Sequence, residues 1–252
     1  MVEGYVLHSV PWRETSLIAE VFTQDEGRIG LVARGARRPR SALRGLLQPF
    51  QRLGLRYSQK GELRTLMSVE WLGIHGCGMP SGASLMAGFY VNELLLRLLQ
   101  RQDPHTDLFQ AYEMVLHHLG ELSPVTEVCL RWFECRLLKS LGIAPDFSIA
   151  VKETTAVACY QLTPGAPIRP SANRLSVNER EQGMLLDQET LLTLARYDGC
   201  ENLQDCLAHG LKSTSTLKRA LRLLLIHQLG TLPLFSREAA VDLHYLRDGV
   251  NS

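Results

Sequence analysis

Ten bases stand between positions 28 and 64 (Arg28, Arg34, Arg37, Arg38, Arg40, Arg44, Arg52, Arg56, Lys60 and Arg64) against a single acid, Glu62. Nine of the ten are arginine, whose rigid fork of N–H donors matches the oxygens of a phosphate. The whole chain of 252 residues balances to +1, so this stretch is a local excess and predicts an anionic partner. Its densest part, 34–44, contains Gly35 and Pro39 and is followed by Gly45, which disfavours a long helix. Arg34, Arg37, Arg38, Arg40 and Arg44 are therefore expected on an arm displayed at the face of a scaffold. Contact with about five phosphates would give a slope of log K against log salt of about −4.5. Such contacts position a polyanion without reading its sequence. Trp12, Tyr5 and Tyr57 could add base stacking if they face outward, although core burial is the commoner fate of such residues. The plainer reading of the arginines is a solvated charge run.

Other clusters point to chemistry less well. Gly76, Gly78 and Gly82 give G-x-G-x-x-x-G, which misses the dinucleotide spacing, and no β-α-β unit follows. Asp103, His105 and Asp107 read as a loop with acids at a helix start. His117 and His118 are adjacent and face different ways on a helix, so they make a poor metal pair. Six cysteines, at 77, 129, 135, 159, 200 and 206, never form Cys-x-x-Cys and are expected to be reduced. No nucleophile, metalloprotease or P-loop signature occurs, so neither an enzymatic step nor a cofactor is expected.

The elements that must carry the arginines are legible in the periodicity. Residues 4–10, 16–22 and 28–33 are short β-branched or aromatic runs, and the second and third are joined by a loop ending in Gly27. With 50–57 and 63–74 they make five strands in about 75 residues, which suggests a small closed barrel. From 83 the period becomes helical, with stripes over 89–99, 108–122, 125–141, 187–196, 203–209 and 213–229. Residues 145–180 hold Pro164, Pro167 and Pro170 and are expected to form an irregular insertion or a short hairpin. The expected class is α+β, with domains at 1–78 and 83–252. With 45% hydrophobic residues the chain can bury a core, and no apolar run approaches the roughly 18 residues of a membrane span. A cytoplasmic protein is expected.

The segments 6–17 (VLHSVPWRETSL), 31–37 (LVARGAR) and 41–50, with Gly45 and Leu47-Gln-Pro-Phe50, closely resemble the RecO family of bacterial recombination mediators and DNA repair proteins. Segments 88–95, 130–142 and 229–238 resemble it as well. The resemblance implies an N-terminal OB-fold barrel and a helical C-terminal domain. It also implies a nucleoid-associated protein that binds single- and double-stranded DNA, anneals complementary strands and has no chemical step. The implied partners are RecR, the acidic C-terminal tail of the single-stranded DNA-binding protein SSB and, indirectly, RecA. Arg13 and Arg28 join the arm's five arginines as expected DNA contacts. Annealing needs a surface for a second strand, for which Lys218, Arg219 and Arg222 on the last long helix are candidates. Arg131, and less strongly Lys139, correspond to the segment that the family places near the SSB tail, and Arg131→Glu is expected to weaken tail binding but spare annealing. Many members carry a four-cysteine zinc site in the region matching about 147–175. Here only Cys159 lies there, so no zinc is expected. Two other readings are an adaptor whose arginines bind an acidic protein, separated by salt-dependent DNA affinity, and a binder of structured RNA.

Overall fold

The computed structural model describes residues 1–73, 82–119, 123–149, 159–171, 183–230 and 234–236. The glycine-rich stretch around Gly76 and Gly78, Cys77 and much of the 145–180 insertion lie outside them.

Five strands, β1 (Val2–Trp12), β2 (Ser16–Thr23), β3 (Gly27–Ala33), β4 (Arg52–Tyr57) and β5 (Leu63–Trp71), close into a barrel of order β1-β2-β3-β5-β4. The first three form an antiparallel meander, and β3 closes on β5 in parallel through Gly30↔Leu63 to Val32↔Thr65. This is the OB-like arrangement. Alternation places Leu17, Ala19 and Val21 of β2 inward, against Ile29, Leu31, Leu53 and Leu55. Gly27 turns β2 into β3 at φ 65°, and a Cβ there would sit 1.9 Å from the backbone oxygen of Asp103, so only glycine fits.

On β1 the alternation breaks. Gly4, Tyr5, Val6 and Leu7 are all buried, because both faces of this strand are covered. Helices α2 (Gly82–Leu98) and α3 (Thr106–His118) supply the outer cover. Tyr5 and Phe22 pack edge-on or tilted against Phe109 and Tyr112 at centroid distances of 5.4–6.0 Å, and Asn92 donates to the Leu7 carbonyl at 2.8 Å. The chain accordingly divides into Met1–Glu121 with Pro233–Ser252, and Leu122–Leu232. The change from strand to helix near 80 is thus not where packing divides the molecule. Glu93 of α2 accepts hydrogen bonds from the Phe235 and Ser236 amides and the Ser236 hydroxyl, tying the returning segment to the first unit.

The second unit contains α4 (Ser123–Ser140), α5 (Gln188–Gly199), α6 (Leu203–Ala208) and α7 (Ser215–Leu229). Asp187, Asn202 and Thr214 cap the last three by accepting from Thr190, Asp205 and Leu217 amides at 2.7–3.2 Å. Of the two forms expected for the insertion, its described part takes the hairpin: β6 (Cys159–Leu162) pairs with β7 (Arg169–Ser171), and β8 (Met184–Leu186) pairs with the other edge of β6. The prolines sit in its loop and on an edge strand, where a missing N–H costs no ladder bond.

Candidate nucleic-acid interface

The 34–51 segment is a lid on the barrel, not a free arm. Ala36 and Leu47 are fully buried in the barrel core, and Leu43 and Leu46 of the one-turn helix α1 (Leu43–Leu46) pack against it. Backbone bonds fasten its course: Arg37 N–H to Thr15 O (2.8 Å), Arg38 to Gly35 (3.1 Å), Ser41 to Arg38 (3.0 Å) and Phe50 to Val6 (2.9 Å). With the apolar residues facing in, Arg34, Arg37, Arg38, Arg40 and Arg44 are left exposed on the outside, as is Arg13 on the β1–β2 turn. Among the described residues these six arginines make no ion pair.

Three bases of the same stretch are ion-paired, and two of them, Arg28 and Arg64, turn inward. Arg28 donates from Nη1 to Glu20 at 2.8 Å and from Nε and Nη2 to the Leu99 carbonyl at 3.2 and 3.0 Å, which corrects its assignment as a DNA contact. Arg52 pairs with Glu3 at 2.7 Å. Arg64 pairs with Glu26 and lies over the Tyr57 ring, while Tyr57 donates to Glu26 at 2.6 Å. Burial alone would raise the Glu26 carboxyl, but the hydrogen bonds from Tyr57 and Arg64 outweigh it and hold the group below the ordinary carboxylate range. Arg56 and Lys60 remain exposed.

Of the aromatic candidates, Tyr5 and Tyr57 are buried and Trp12 is 41% exposed. Trp71, at the end of β5, is 53% exposed and donates to Gln51 at 2.7 Å. Sequence reasoning passed over it, although its place as the last aromatic before the glycine-rich stretch marked it as a rim residue. Lys218 and Arg219 are exposed on α7 and Arg222 is half-buried there, all in the second unit.

Arg131 is corrected too. It is 3% exposed, and its Nη2 lies 2.8 Å from Glu134 one helical turn on, itself buried, so its charge is committed inside the unit. Lys139, in the last turn of α4, is exposed. His105 Nε2 meets Asp103 at 3.3 Å, and the described residues hold no group of three or more His, Cys, Asp or Glu able to grip a metal. Cys200 and Cys206 are both buried, and burial, reinforced by a hydrogen bond with Cys200, pushes the Cys206 thiol up and away from reactivity. No described helix is long and apolar enough to cross a membrane.

Comparison with known proteins finds two family matches along the chain. The model of the Recombination protein O N terminal family matches residues 1–75, and that of the Recombination protein O C terminal family matches residues 79–238. The chain belongs to the RecO family. Relatives named DNA repair protein RecO include those of Paraburkholderia xenovorans (40% identical, covering 96% of this chain and 77% of the relative) and Laribacter hongkongensis (39%, covering 98% and 96%). That of Nitrosospira multiformis is 42% identical, covering 96% of this chain and 95% of the relative. The RecO N-terminal match covers the barrel and its arginine lid, and the RecO C-terminal match begins just before α2.

Proposed function

We propose that this RecO-family protein is a DNA repair and recombination mediator. It binds single- and double-stranded DNA through the exposed arginines of the barrel lid and anneals complementary strands. With RecR it helps load RecA onto SSB-coated single strands. The observation that carries the reading is the lid itself: Arg13, Arg34, Arg37, Arg38, Arg40 and Arg44 are exposed, and the described residues offer them no ion-pair partner. An unneutralised cluster of planar donors on an ordered scaffold matches a row of phosphates, with no loop to order first. The mechanism is charge neutralisation without a chemical step. One strand lies on the lid, and Lys218, Arg219 and Arg222 of α7 serve the second strand.

For the SSB tail, Lys139 is the exposed member of the two residues named. A tail of acids ending in an aromatic ring suits an exposed cation beside apolar surface. Arg131 then acts by holding the interior of the unit, not by touching the tail. Lys139→Glu is expected to weaken binding of an SSB-tail peptide and leave annealing of naked oligonucleotides unchanged.

The decisive experiment is fluorescence-monitored annealing of complementary oligonucleotides over a salt series, for the wild type and for Arg34→Ala/Arg38→Ala/Arg40→Ala/Arg44→Ala. The wild type should anneal and lose roughly 500-fold in affinity between 50 and 200 mM salt, as about five phosphate contacts require. The variant should lose most of both the activity and the slope. Wild-type protein that neither binds nor anneals DNA at low salt would redirect the lid to an acidic protein.

A further inference from the structure

One lid arginine is spent differently from its neighbours. The β1–β2 turn leaves Trp12 opposite Ser16 and carries Arg13 through φ 52°, a left-handed conformation that residues with a side chain seldom adopt. Arg37 is bonded to this turn at three points. Its guanidinium Nη1 donates to the carbonyls of Arg13 (3.2 Å) and Glu14 (3.3 Å), and its backbone N–H donates to that of Thr15 (2.8 Å). Three successive carbonyls of the turn are thus strapped by one residue of the lid. The turn so held presents the Arg13 guanidinium 5.9 Å from the Trp12 ring centroid and leaves Trp12 41% exposed. An exposed indole beside an arginine plane, next to the unneutralised arginines of the lid, has the composition of a base-stacking platform with a phosphate-directed cation.

We propose that Trp12 stacks an unpaired base of a single strand, with Arg13 beside it, and that Arg37 is a positioning residue that holds this platform and not a phosphate contact. The inference rests on the reading of the lid as a DNA surface. It adds a basis for telling single strands from duplex at this surface. A base inside a duplex hides its faces against its neighbours, so stacking on Trp12 is open to single strands alone, whereas phosphates are offered by both.

The test measures binding of a labelled single strand and of the matching duplex over a salt series, by anisotropy. Tryptophan fluorescence is recorded in a Trp71→Phe background, where Trp12 is the exposed indole and Trp132 is buried. In the wild type, the single strand should quench Trp12 and the duplex should not. Trp12→Ala should lose about fivefold or more in single-strand affinity, the low end of what a stacked base contributes, and keep duplex affinity within about twofold. Trp12→Phe, which keeps an aromatic face, should retain most of the affinity. Arg37→Ala should follow Trp12→Ala, losing single-strand affinity and quenching with the salt slope nearly unchanged. Arg13→Ala should weaken both substrates and lower the slope by about 0.9.

Equal loss of both substrates in Arg37→Ala, with a slope lower by about 0.9 and quenching intact, would make Arg37 a phosphate contact and overturn the assignment. Single-strand binding that neither quenches Trp12 nor responds to Trp12→Ala would overturn the platform while leaving the DNA reading standing. Absence of binding to either substrate would remove the DNA reading itself.

Discussion

The barrel lid and helix α4 use the same residue for opposite purposes. On the lid, Arg34, Arg38, Arg40 and Arg44 stand exposed with no ion-pair partner among the described residues, while Ala36 and Leu47 beneath them fill the barrel. On α4, Arg131 is buried against Glu134, and the pair is part of the interior of the second unit. The difference lies in where the compensating acid sits. An arginine with a carboxylate in reach is drawn into the fold, because burying it alone would cost several kcal/mol. One without such a partner stays in water and is available to an anion. Arg28 and Arg64 belong with Arg131 in this respect, since Glu20 and Glu26 claim them, whereas Arg52 meets Glu3 at the surface.

The largest effect that would sharpen this contrast is on stability. Arg131→Met should cost about 3–5 kcal/mol of unfolding free energy in urea, because it takes the cation from a buried carboxylate. Adding Glu134→Leu should recover most of the loss. A loss below about 1 kcal/mol in the single variant would mean that Arg131 is not structural. Next, Gly27→Ala should cost at least about 2 kcal/mol, since the Cβ would collide with Asp103 and the backbone is left-handed. An unchanged melting temperature would contradict the close seat of the barrel on the 101–105 turn.

A smaller effect concerns acid. The folded-state pKa of Glu26 is depressed below its ordinary value of 4.5, so its stabilising contribution is fully present above that value and is lost as pH falls through the folded one. Glu26→Gln should therefore be less stable than the wild type at neutral pH, with the gap closing below about pH 4.5. A gap that stays constant down to pH 3 would show that the Tyr57–Glu26–Arg64 cluster does not need the charge. The smallest effect should come from the lid. Arg34→Ala should leave stability within about 0.5 kcal/mol and lower the salt slope of DNA binding by about 0.9.

How far this contrast could be read in the sequence differs from residue to residue. The five strands and the helices were legible because their apolar residues keep period 2 or 3.6, and Gly27, Asp187 and Thr214 mark their ends. The lid's arginines were legible as a charge excess. The inward turn of Arg28 and Arg64 was not, because their partners lie outside the basic stretch, and a carboxylate 8 or 38 residues away gives no local signal. Arg131 misled for a different reason: Glu134 is only three residues on, a spacing equally common on exposed helix faces, and burial decides between the two. The unit boundary was hidden as well. Only the unbroken apolar run Tyr5-Val6-Leu7 hints that a barrel strand has a second covered face, and the cover comes from helices about 80 to 110 residues later.

If the exposed lid arginines meet phosphate while the paired arginines hold the fold, removing the first should change binding and leave the fold unchanged. The salt slope of single-strand binding, compared between the wild type and the Arg34→Ala/Arg38→Ala/Arg40→Ala/Arg44→Ala variant, tests it most directly. The wild type should give a slope near −4.5 that becomes shallower by about 3.6 in the variant, with the fold intact. A variant that keeps the wild-type slope would contradict it, because the phosphates would then be held elsewhere.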